Sequence, residues 1–499
     1  MFTPEALQAL EQRAFAQGSD PDTLMEEAGR LMAEAIRQFQ PRPGVCLTVF
    51  GKGHNGGDAL VAGRILREAG WTLICVPAYP STEWAPLTAR KFQRLGAHTI
   101  CCAESLEGWR PDNSTPCVIL DGLLGIGALG PLRPPLRGIC KSINALRARS
   151  AVRVFALDIP SGLDGASGRA DPDAIVADAT LSVGFAKTGL VAEGAEHWVG
   201  RLVVLPLQAL SALVPDADPL EIATPAGLAP FWPRRRANMH KGDCGRVLLY
   251  AGAIGTVGAA ALAARGALRA GAGLVTLCVP GTIYAMASAQ TPPECMVRPV
   301  EDAREVLEIK ADALGIGPGL GREKPEAVLE VVRDFAGPAV VDADALNLLA
   351  AGQLGLLQLL RGARLLTPHP GEMARLAPEW AALSRKEQVE RFTARWPVTL
   401  LLKGARTLVG SGGTRLSYNS TGNPGMATGG MGDVLTGVCA ALLARGLVPH
   451  VAGLLGAWLC GRAAEVLLAE GTQSEDSLLA SDVANALGAA FDSLRAGCF

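Results

Sequence analysis

The sequence predicts an α/β protein with two or more domains, each built on a largely parallel β-sheet. Its 499 residues exceed what one hydrophobic core normally serves, so a division into domains is expected. Short apolar, β-branched runs alternate with Ala- and Leu-rich helical patterns, which is typical of parallel sheets covered by helices. A proline-rich stretch, 214–236, separates two such regions.

Composition and charge limit the classes of partner. Hydrophobic residues make up 49% of the chain and charged residues 19%, as in globular proteins. A net charge of −2 provides no field that attracts nucleic acid or an anionic membrane. The pattern shows neither a signal peptide nor a membrane-spanning helix, and the 12 cysteines without a CxxC motif fit a reducing compartment. We therefore expect a cytoplasmic homo-oligomer that binds neither nucleic acid nor a membrane.

The N-terminal half begins with two helix starts and continues with strand-like runs. Thr3-Pro4 and Asp20-Pro21 each place a capping residue before a proline at the first helical position. Strands are predicted at 45–50, 72–76, 118–121, 152–158 and 180–183.

The connector contains Pro215, Pro219, Pro225, Pro230 and Pro233, which suit a linker or a strap better than a core element. The basic run 234–236 lies in this connector, where a solvated position is expected. We therefore predict domains at 1–214 and 225–499. In the second, strands are expected at 246–250, 274–279, 313–316, 339–342 and 398–402, followed from Gly432 by a stack of helices.

Two glycine-rich loops follow strands of the first half. Gly51-Lys-Gly-His-Asn-Gly56 and Gly125-Ile-Gly-Ala-Leu-Gly130 have the spacing of loops whose amides cradle phosphate, although a tight strand-to-helix turn explains each equally well. A dinucleotide-binding dehydrogenase also needs an acidic residue at the end of its second strand. The run Cys75-Val-Pro-Ala78 has none there, which argues against a dehydrogenase.

Polar side chains at the ends of these strands are more informative. Asn55, Asp58, Asp121, Asp158 and Ser161 should converge, because the carboxyl ends of parallel strands meet at one edge. Their oxygen atoms suit a hard cation. Taken singly, Asp121 or Asp158 is better explained as a cap of the following turn.

Four motifs occur in order: Leu24-Met-Glu-Glu-Ala-Gly29, Asn55-Gly-Gly-Asp58, Asp121-Gly-Leu-Leu-Gly-Ile-Gly127 and Asp158-Ile-Pro-Ser-Gly-Leu-Asp164. Together they resemble the NAD(P)H-hydrate epimerase domain, which implies a Rossmann-like three-layer fold. The resemblance implies a potassium ion on Asn55, Asp121 and Ser161, and Asp158 at the reacting nicotinamide hydrate as a catalytic residue. The implied substrate contacts are His54, Asn55, Gly56, Gly57, Asp58, Gly125, Ile126, Gly127, Ala128, Leu129, Gly130, Pro131 and Asp158.

This half differs from the family at one position, and the role of a second residue is not assigned by the resemblance. His54 stands where the family has Asn, so substrate contact through that side chain is in question. Lys187 lies where the family also tends to have a lysine, and a surface position explains it equally well.

The second half carries its own ordered series of motifs. Gly315-Ile-Gly-Pro-Gly-Leu-Gly321, Thr367-Pro-His-Pro-Gly-Glu372, Lys403-Gly404 and 423–433 each follow a strand-like run or precede a helix. The last places Asp433 in the first turn of a helix predicted at 433–445, after a glycine-rich turn. Amides at such a turn bind an anion, and a carboxylate there can accept a hydroxyl proton. A capped helix after a glycine-rich loop explains this one motif, but not the other three.

The series resembles the ribokinase-like NAD(P)H-hydrate dehydratase domain, whose members activate the ring hydroxyl of the S-hydrate and then eliminate it. The resemblance implies NADHX and NADPHX as substrates and ADP, or ATP, as co-substrate with Mg²⁺. Asp433 is implied as catalytic, although His369 is as well explained by a structural role. The implied hydrate contacts are Gly319, His369, Pro370, Gly371, Glu372, Met373, Ala374, Arg375 and Asp433. The implied ADP contacts are Lys403, Gly404, Ala405, Arg406, Thr407, Asn423, Pro424, Gly425, Met426, Ala427, Thr428, Gly429, Gly430, Met431 and Gly432.

Two alternatives remain at this point. One is a vitamin or sugar kinase with a fused accessory domain, because the loop before Asp433 is shared across that fold; it does not explain the N-terminal motifs. The other makes the N-terminal half a non-catalytic nucleotide- or protein-binding module, because fold alone does not establish function. From the two resemblances together, we expect a bifunctional enzyme that epimerises and dehydrates hydrated NADH and NADPH.

Overall fold

The computed structural model of the chain describes residues 1–96, 99–100 (backbone only), 106, 109, 115–128, 130–413 and 416–499. The chain divides into two compact units, residues 1–218 with 498–499, and residues 219–497. Each unit contains its own β-sheet, and the α/β class predicted from the sequence is confirmed.

The first unit alternates helices and strands from its beginning. Its described helices are α1 (Pro4–Ala16), α2 (Pro21–Phe39), α3 (His54–Glu68), α4 (Pro86–Gln93), α5 (Leu136–Arg149), α6 (Glu196–Val199) and α7 (Gln208–Ser211). Its described strands are β1 (Val45–Phe50), β2 (Thr72–Pro77), β3 (Thr99–Ile100), β4 (Cys117–Gly122), β5 (Val152–Leu157), β6 (Ala179–Val183) and β7 (Arg201–Leu205). The side chains of Thr3 and Asp20 cap α1 and α2, as predicted.

The sheet of the first unit is parallel throughout, in the order β3-β2-β1-β4-β5-β6-β7. All five predicted strands are present, and every residue of β4 is buried, as expected for a strand covered on both faces. The strand order reverses between β1 and β4, and ligands of such sheets bind beyond the carboxyl ends of the strands at this point.

The second unit has a larger sheet. Its described helices are α8 (Pro225–Leu228), α9 (Val257–Arg269), α10 (Tyr284–Gln290), α11 (Pro325–Asp334), α12 (Ala343–Ala350), α13 (Pro370–Leu376), α14 (Arg385–Arg395), α15 (Met431–Ala444), α16 (Pro449–Glu470) and α17 (Ala480–Ala496). Its described strands are β8 (Arg246–Tyr250), β9 (Leu274–Pro280), β10 (Met296–Val300), β11 (Ala313–Ile316), β12 (Ala339–Val341), β13 (Arg364–Leu366), β14 (Thr399–Leu402), β15 (Leu408–Ser411) and β16 (Ser417–Tyr418). The sheet order is β10-β9-β8-β11-β12-β13-β14-β15-β16, with antiparallel pairing only at β14–β15 and β15–β16.

The predicted helical stack after Gly432 is confirmed as α15, α16 and α17. Of the described helices, α16 is the one long and apolar enough to cross a membrane by length and composition. Its most apolar window is 83% buried within the protein, which is the burial of a core helix.

The proline-rich connector is more ordered than a linker. Ala223, Leu228 and Trp232 are buried in the core of the second unit, which the linker interpretation did not predict. Ala223 donates its amide to the carbonyl of Tyr418 at 2.8 Å, so the segment pairs with the last strand of the sheet. Proline removes amide donors but not apolar surface, and the residues between the prolines are therefore free to pack. The arginines at 234–236 are exposed, as expected.

Candidate active sites

A cavity of about 800 Å³ lies beyond the carboxyl ends of the strands of the first unit. Its walls include the loops after β1 and β4, together with residues of α1 and α2. Eight of the predicted substrate contacts line it: His54, Asn55, Asp58, Gly125, Ile126, Gly127, Ala128 and Asp158. The structure therefore brings the two glycine loops and the predicted catalytic aspartate to one place.

The remaining predicted contacts of this loop do not line the cavity. A Cβ at Gly56 would lie 2.3 Å from the carbonyl oxygen of Gly51, and a Cβ at Gly57 would lie 2.5 Å from the sulfur of Met25. These glycines therefore permit the close packing that places the loop. Gly130 and Pro131 are also absent from the lining, and Leu129 lies outside the described residues. Substrate contact at these positions stays a prediction.

Asp158 has an uncommon backbone conformation, and its side chain pairs with a buried lysine. Its φ is 69°, a region that few residues other than glycine adopt. Lys187 Nζ donates to Asp158 Oδ1, and it also donates to Ser182 Oγ at 3.2 Å and to the carbonyl of Val183 at 3.0 Å. The Lys187 side chain is 0% exposed, so the alternative of a surface lysine is wrong.

Two further carboxyl groups face Asp158 in the same cavity. Burial, and next the negative charge of Asp158, raise the pKa of Glu11 to about 7. The same two causes raise the pKa of Asp58 well above its ordinary value. Asp58 belongs to the predicted set, but Glu11 does not. Glu11 lies on α1, which carries none of the sequence motifs. Its position in the cavity follows from the packing of that helix.

The predicted cation ligands are linked by hydrogen bonds through Leu124, and Asn55 also lines the cavity. Ser161 donates its amide and its hydroxyl to Asp121, at 2.8 and 2.6 Å. Asn55 donates to the carbonyls of Leu124 and Leu157, at 2.6 and 3.0 Å, while its buried Oδ1 atom has no hydrogen-bond partner. Burial raises the pKa of Asp121 to about 6, and among the described residues no cation pairs with it. An uncompensated carboxylate beside an orphaned amide oxygen fits a bound cation.

The second site is built around Asp433, in the first turn of α15. The helix begins at Met431 after Gly430, whose φ of 90° favours glycine. Burial, and next the charge of Asp342, raise the pKa of Asp433 to about 7, while Lys403 lowers it. Lys403 Nζ donates to Asp342 Oδ1 at 2.8 Å, and Thr436 Oγ1 donates to Asp342 Oδ2 at 2.8 Å.

Asp342 was not among the predicted site residues. It follows β12 directly, in the run Asp342-Ala-Asp-Ala-Leu-Asn347, and a carboxylate just after a predicted parallel strand was the available signal. The structure places the predicted nucleotide ligand Lys403 between this residue and Glu372, whose Oε2 is 3.8 Å from Nζ.

Three of the predicted hydrate contacts form hydrogen bonds within the second unit. His369 accepts from the amides of Gly371 and Glu372, at 3.0 and 3.3 Å, so it caps α13. Arg375 donates to Asn347 at 2.9 Å. The carbonyl of Gly319 accepts from Thr256 at 2.7 Å.

The loop at 423–430 leads from an asparagine cap into α15. Asn423 Oδ1 accepts from the amide of Gly425 at 3.0 Å, and its buried Nδ2 has no hydrogen-bond partner. Ala427, Thr428 and Gly429 are exposed. The loop therefore contains one buried donor without a partner and has accessible backbone just before Asp433.

Both halves of the chain match known families. Residues 21–189 match the family described as YjeF-related protein N-terminus, and residues 247–486 match NAD(P)H-hydrate dehydratase. The bifunctional NAD(P)H-hydrate repair enzyme of Moorella thermoacetica is 37% identical over 89% of this chain and 87% of its own length. That of Gloeobacter violaceus is 36% identical over 93% of each. The chain belongs to the family of bifunctional NAD(P)H-hydrate repair enzymes.

In this NAD(P)H-hydrate repair enzyme, the YjeF-related match lies within the first unit and the dehydratase match within the second. A solved structure of the ADP/ATP-dependent NAD(P)H-hydrate dehydratase from Bacillus subtilis, co-crystallized with ATP/Mg²⁺, is 27% identical with a TM-score of 0.49. That match covers 55% of this chain and 99% of the Bacillus protein.

Proposed function

We propose that this chain repairs NADHX and NADPHX by two reactions, one in each unit. The first unit interconverts the R- and S-hydrates, and the second dehydrates the S-hydrate with ADP, or ATP, as co-substrate. One observation carries the proposal: each unit has a lysine–aspartate pair, Lys187–Asp158 or Lys403–Asp342, and a further carboxyl group, Glu11 or Asp433, that interacts with this pair. Burial raises the pKa of Glu11 and that of Asp433 to about 7. Groups that titrate near neutral pH can donate and accept protons during turnover.

Epimerisation requires a hydroxyl to leave one face of the ring and return to the other. The hydroxyl of such a hydrate is on a carbon bonded to the ring nitrogen, so the nitrogen lone pair stabilises the cation left when water departs. A proton must reach the leaving oxygen, and another must leave the water that adds. Asp158 lines the cavity and carries out proton transfer there, positioned by Lys187. The glycine loops of the cavity bind the nucleotide part of the substrate.

We assign a potassium ion to Asn55, Asp121 and Ser161. The support is the orphaned Oδ1 of Asn55 and the buried charge of Asp121, which no described lysine or arginine offsets. Bound there, the ion would offset this charge and fix the loop that begins at Leu123, whose amide donates to Asp121 at 3.3 Å. It would thereby stabilise the wall of the cavity.

Dehydration begins when Asp433 takes the proton of the ring hydroxyl. The freed oxygen attacks the terminal phosphorus of the nucleotide, the bond from that phosphorus to the bridging oxygen breaks, and AMP leaves from ADP, or ADP from ATP. The phosphorylated hydroxyl then leaves as phosphate with the electron pair of the carbon–oxygen bond, and the neighbouring carbon loses a proton, which restores the double bond. Asp342 accepts a hydrogen bond at each oxygen, from Lys403 and from Thr436, and we assign to it the orientation of these two side chains.

The loops at 403–407 and 423–432 are assigned to the nucleotide, and the residues 369–375 with Gly319 to the hydrate. Among the described residues, no group of three His, Cys, Asp or Glu side chains is arranged to hold a metal ion. Mg²⁺ would therefore be bound mainly through the phosphates, as is usual for this ion. The ion would neutralise negative charge on the phosphates.

We assign the two activities to residues 1–214 and 225–499, and we keep as predictions that the protein is a cytoplasmic homo-oligomer without nucleic acid or membrane partners. A mixture of R- and S-hydrates tests the function. With ADP and Mg²⁺, both epimers should be converted to NADH, followed by absorbance. Without nucleotide, the epimers should only interconvert, followed by chromatography. If the R-hydrate persists unchanged in both experiments, the first unit is not an epimerase.

A further inference from the structure

One face of α1 forms a wall of the cavity in the first unit. Gln8, Glu11, Gln12 and Phe15 lie at helical spacing, and all four line the cavity. Nothing in the motifs of the sequence points to this helix, yet it contributes an ionisable group to the site.

The helix is fixed firmly enough to position a reactive group. Leu7, Leu10 and Ala14, on the neighbouring face of α1, are buried in one apolar cluster with Leu207 and Leu210. The cap at its start closes the first turn. A group on a helix anchored in this way holds its position better than one on a loop.

Glu11 is the one carboxyl group of this helix face that is sunk into the cavity wall. Of the described residues, none forms a salt bridge or hydrogen bond with its carboxyl group. The ionisable groups that face it are Glu5, Lys52, His54, Asp58, Tyr79 and Asp158 along the cavity, and Lys187 behind Asp158. Burial and the charge of Asp158 outweigh Lys187, so the pKa of Glu11 rises to about 7. At neutral pH, a large fraction of Glu11 therefore carries a proton that it can donate.

Asp158 approaches the same cavity from the sheet edge, after β5. Its Oδ1 accepts from Lys187 and from the amide of Val183, while no described group donates to Oδ2. This oxygen is free to accept a proton. The cavity thus has a proton donor on one wall and a proton acceptor on another.

We propose that Glu11 is a second catalytic residue of the epimerase, which protonates the departing hydroxyl while Asp158 takes the proton of the incoming water. The carbon–oxygen bond breaks with its electron pair on oxygen, the proton of Glu11 completes the water that leaves, and the ring nitrogen supports the cation. Water then adds to the other face and gives one proton to Asp158. Exchange with solvent returns the proton from Asp158 to Glu11. The proposal rests on the epimerase function proposed above.

The test uses the full chain without nucleotide, so that only epimerisation is observed, and follows the R- and S-hydrates by chromatography. The Glu11→Gln variant should lose about 10²–10⁴-fold in kcat, the usual contribution of a general acid, with little change in KM. The wild-type rate should fall as the pH rises through about 7, because the donor form of Glu11 is lost. In Glu11→Gln this fall should disappear, and Glu11→Asp should restore part of the rate and the fall.

The matched control is Glu34→Gln, which removes an exposed carboxylate of α2 that is paired with Arg30. Its rate should equal that of the wild type. A wild-type protein that does not epimerise would contradict the proposed function itself. An active wild type whose Glu11→Gln variant keeps its rate, or keeps the fall above pH 7, would overturn the role of Glu11 alone. A lower rate with an unchanged pH profile would show a structural role and would also overturn it.

Discussion

Each unit brings together a lysine, an aspartate paired with it and a further carboxyl group. The two units differ in which carboxylate oxygen accepts no hydrogen bond from the described residues. In the first, Lys187 pairs with one oxygen of Asp158, and the other oxygen has no described donor. In the second, Lys403 and Thr436 occupy both oxygens of Asp342, and the open carboxylate is Asp433. A lysine–aspartate pair therefore does not by itself identify the base. The carboxylate to which we assign the base is the one with an oxygen that accepts no hydrogen bond from the described residues.

The largest expected effect separates the two sites by chemistry. Asp433→Asn keeps the size of the side chain but removes the base, so dehydration of pure S-hydrate should fall by about 10²–10⁴-fold while epimerisation is retained. The wild-type dehydration rate should rise with pH through about 7, because the base must be ionised, whereas epimerisation should fall over the same range. Absorbance of NADH and chromatography of the epimers measure the two rates.

The control for this prediction is Asp492→Asn, at a position in α17 whose side chain is 82% exposed and therefore outside the site. A variant at position 433 that dehydrates at the wild-type rate would place the chemistry elsewhere. The same pH dependence in both reactions would contradict the contrast drawn between the units.

The next effect concerns the two buried pairs. Removal of one partner of a buried pair costs about 3–5 kcal/mol, because the other charge is left buried. Lys187→Met should approach that range, since the Lys187 side chain is 0% exposed. Lys403→Met should cost less, because its side chain is 20% exposed and Asp342 keeps the bond from Thr436. Hydrogen exchange read by mass spectrometry reports the opening free energy of each unit separately.

Lys141→Met and Lys386→Met are the matched controls, one in each unit, because both side chains are 59% exposed. Each should change stability by less than about 1 kcal/mol. A larger loss for Lys403→Met than for Lys187→Met would reverse the order inferred from exposure.

The smallest expected effect tests the proposed cation. Replacing potassium by tetramethylammonium at constant ionic strength should lower epimerisation several-fold, because Asp121 loses its counter-charge and the loop after β4 loosens. Asp121→Asn should abolish this dependence on potassium, because it removes the charge that the ion offsets. Dehydration of pure S-hydrate by Asp121→Asn should stay at the wild-type rate. Epimerisation that is equal in both salts would remove the ion from the site.

Buried strands and glycine loops were predictable because their signals are local. The run at 45–50 is apolar on both faces, and the structure has β1 there. β13 was missed because it has three residues and begins with Arg364, which sequence patterns assign to the surface. In the structure Arg364 is 1% exposed and donates to carbonyls at the end of α11, among them that of Phe335 at 2.6 Å. Its charge is satisfied by tertiary contacts that no local pattern contains.

Among the site residues, too, those with a local sequence signal were predictable and those that depend on tertiary contacts were not. Asp158 and Asp433 were predicted as catalytic residues because motifs carry them, and in the structure Asp158 pairs with Lys187 while Asp433 lies near Asp342 and Lys403. Glu11 was not found, because its role depends on the fold that brings α1 to the sheet edge. Lys187 was left open for the same reason, since its burial depends on a partner elsewhere in the chain. Proton-transfer residues outside motifs are thus visible only after the chain has folded.

The placement of α16 has a consequence for biosynthesis. This helix is buried along most of its length, and it follows β16, the last strand of the second sheet in chain order. During translation, all the strands of that sheet leave the ribosome before the helix that covers part of them. By that time, nearly all residues of the first unit have already been synthesised. We expect the first unit to fold on the ribosome, and the second to expose apolar strands to chaperones until α16 is synthesised.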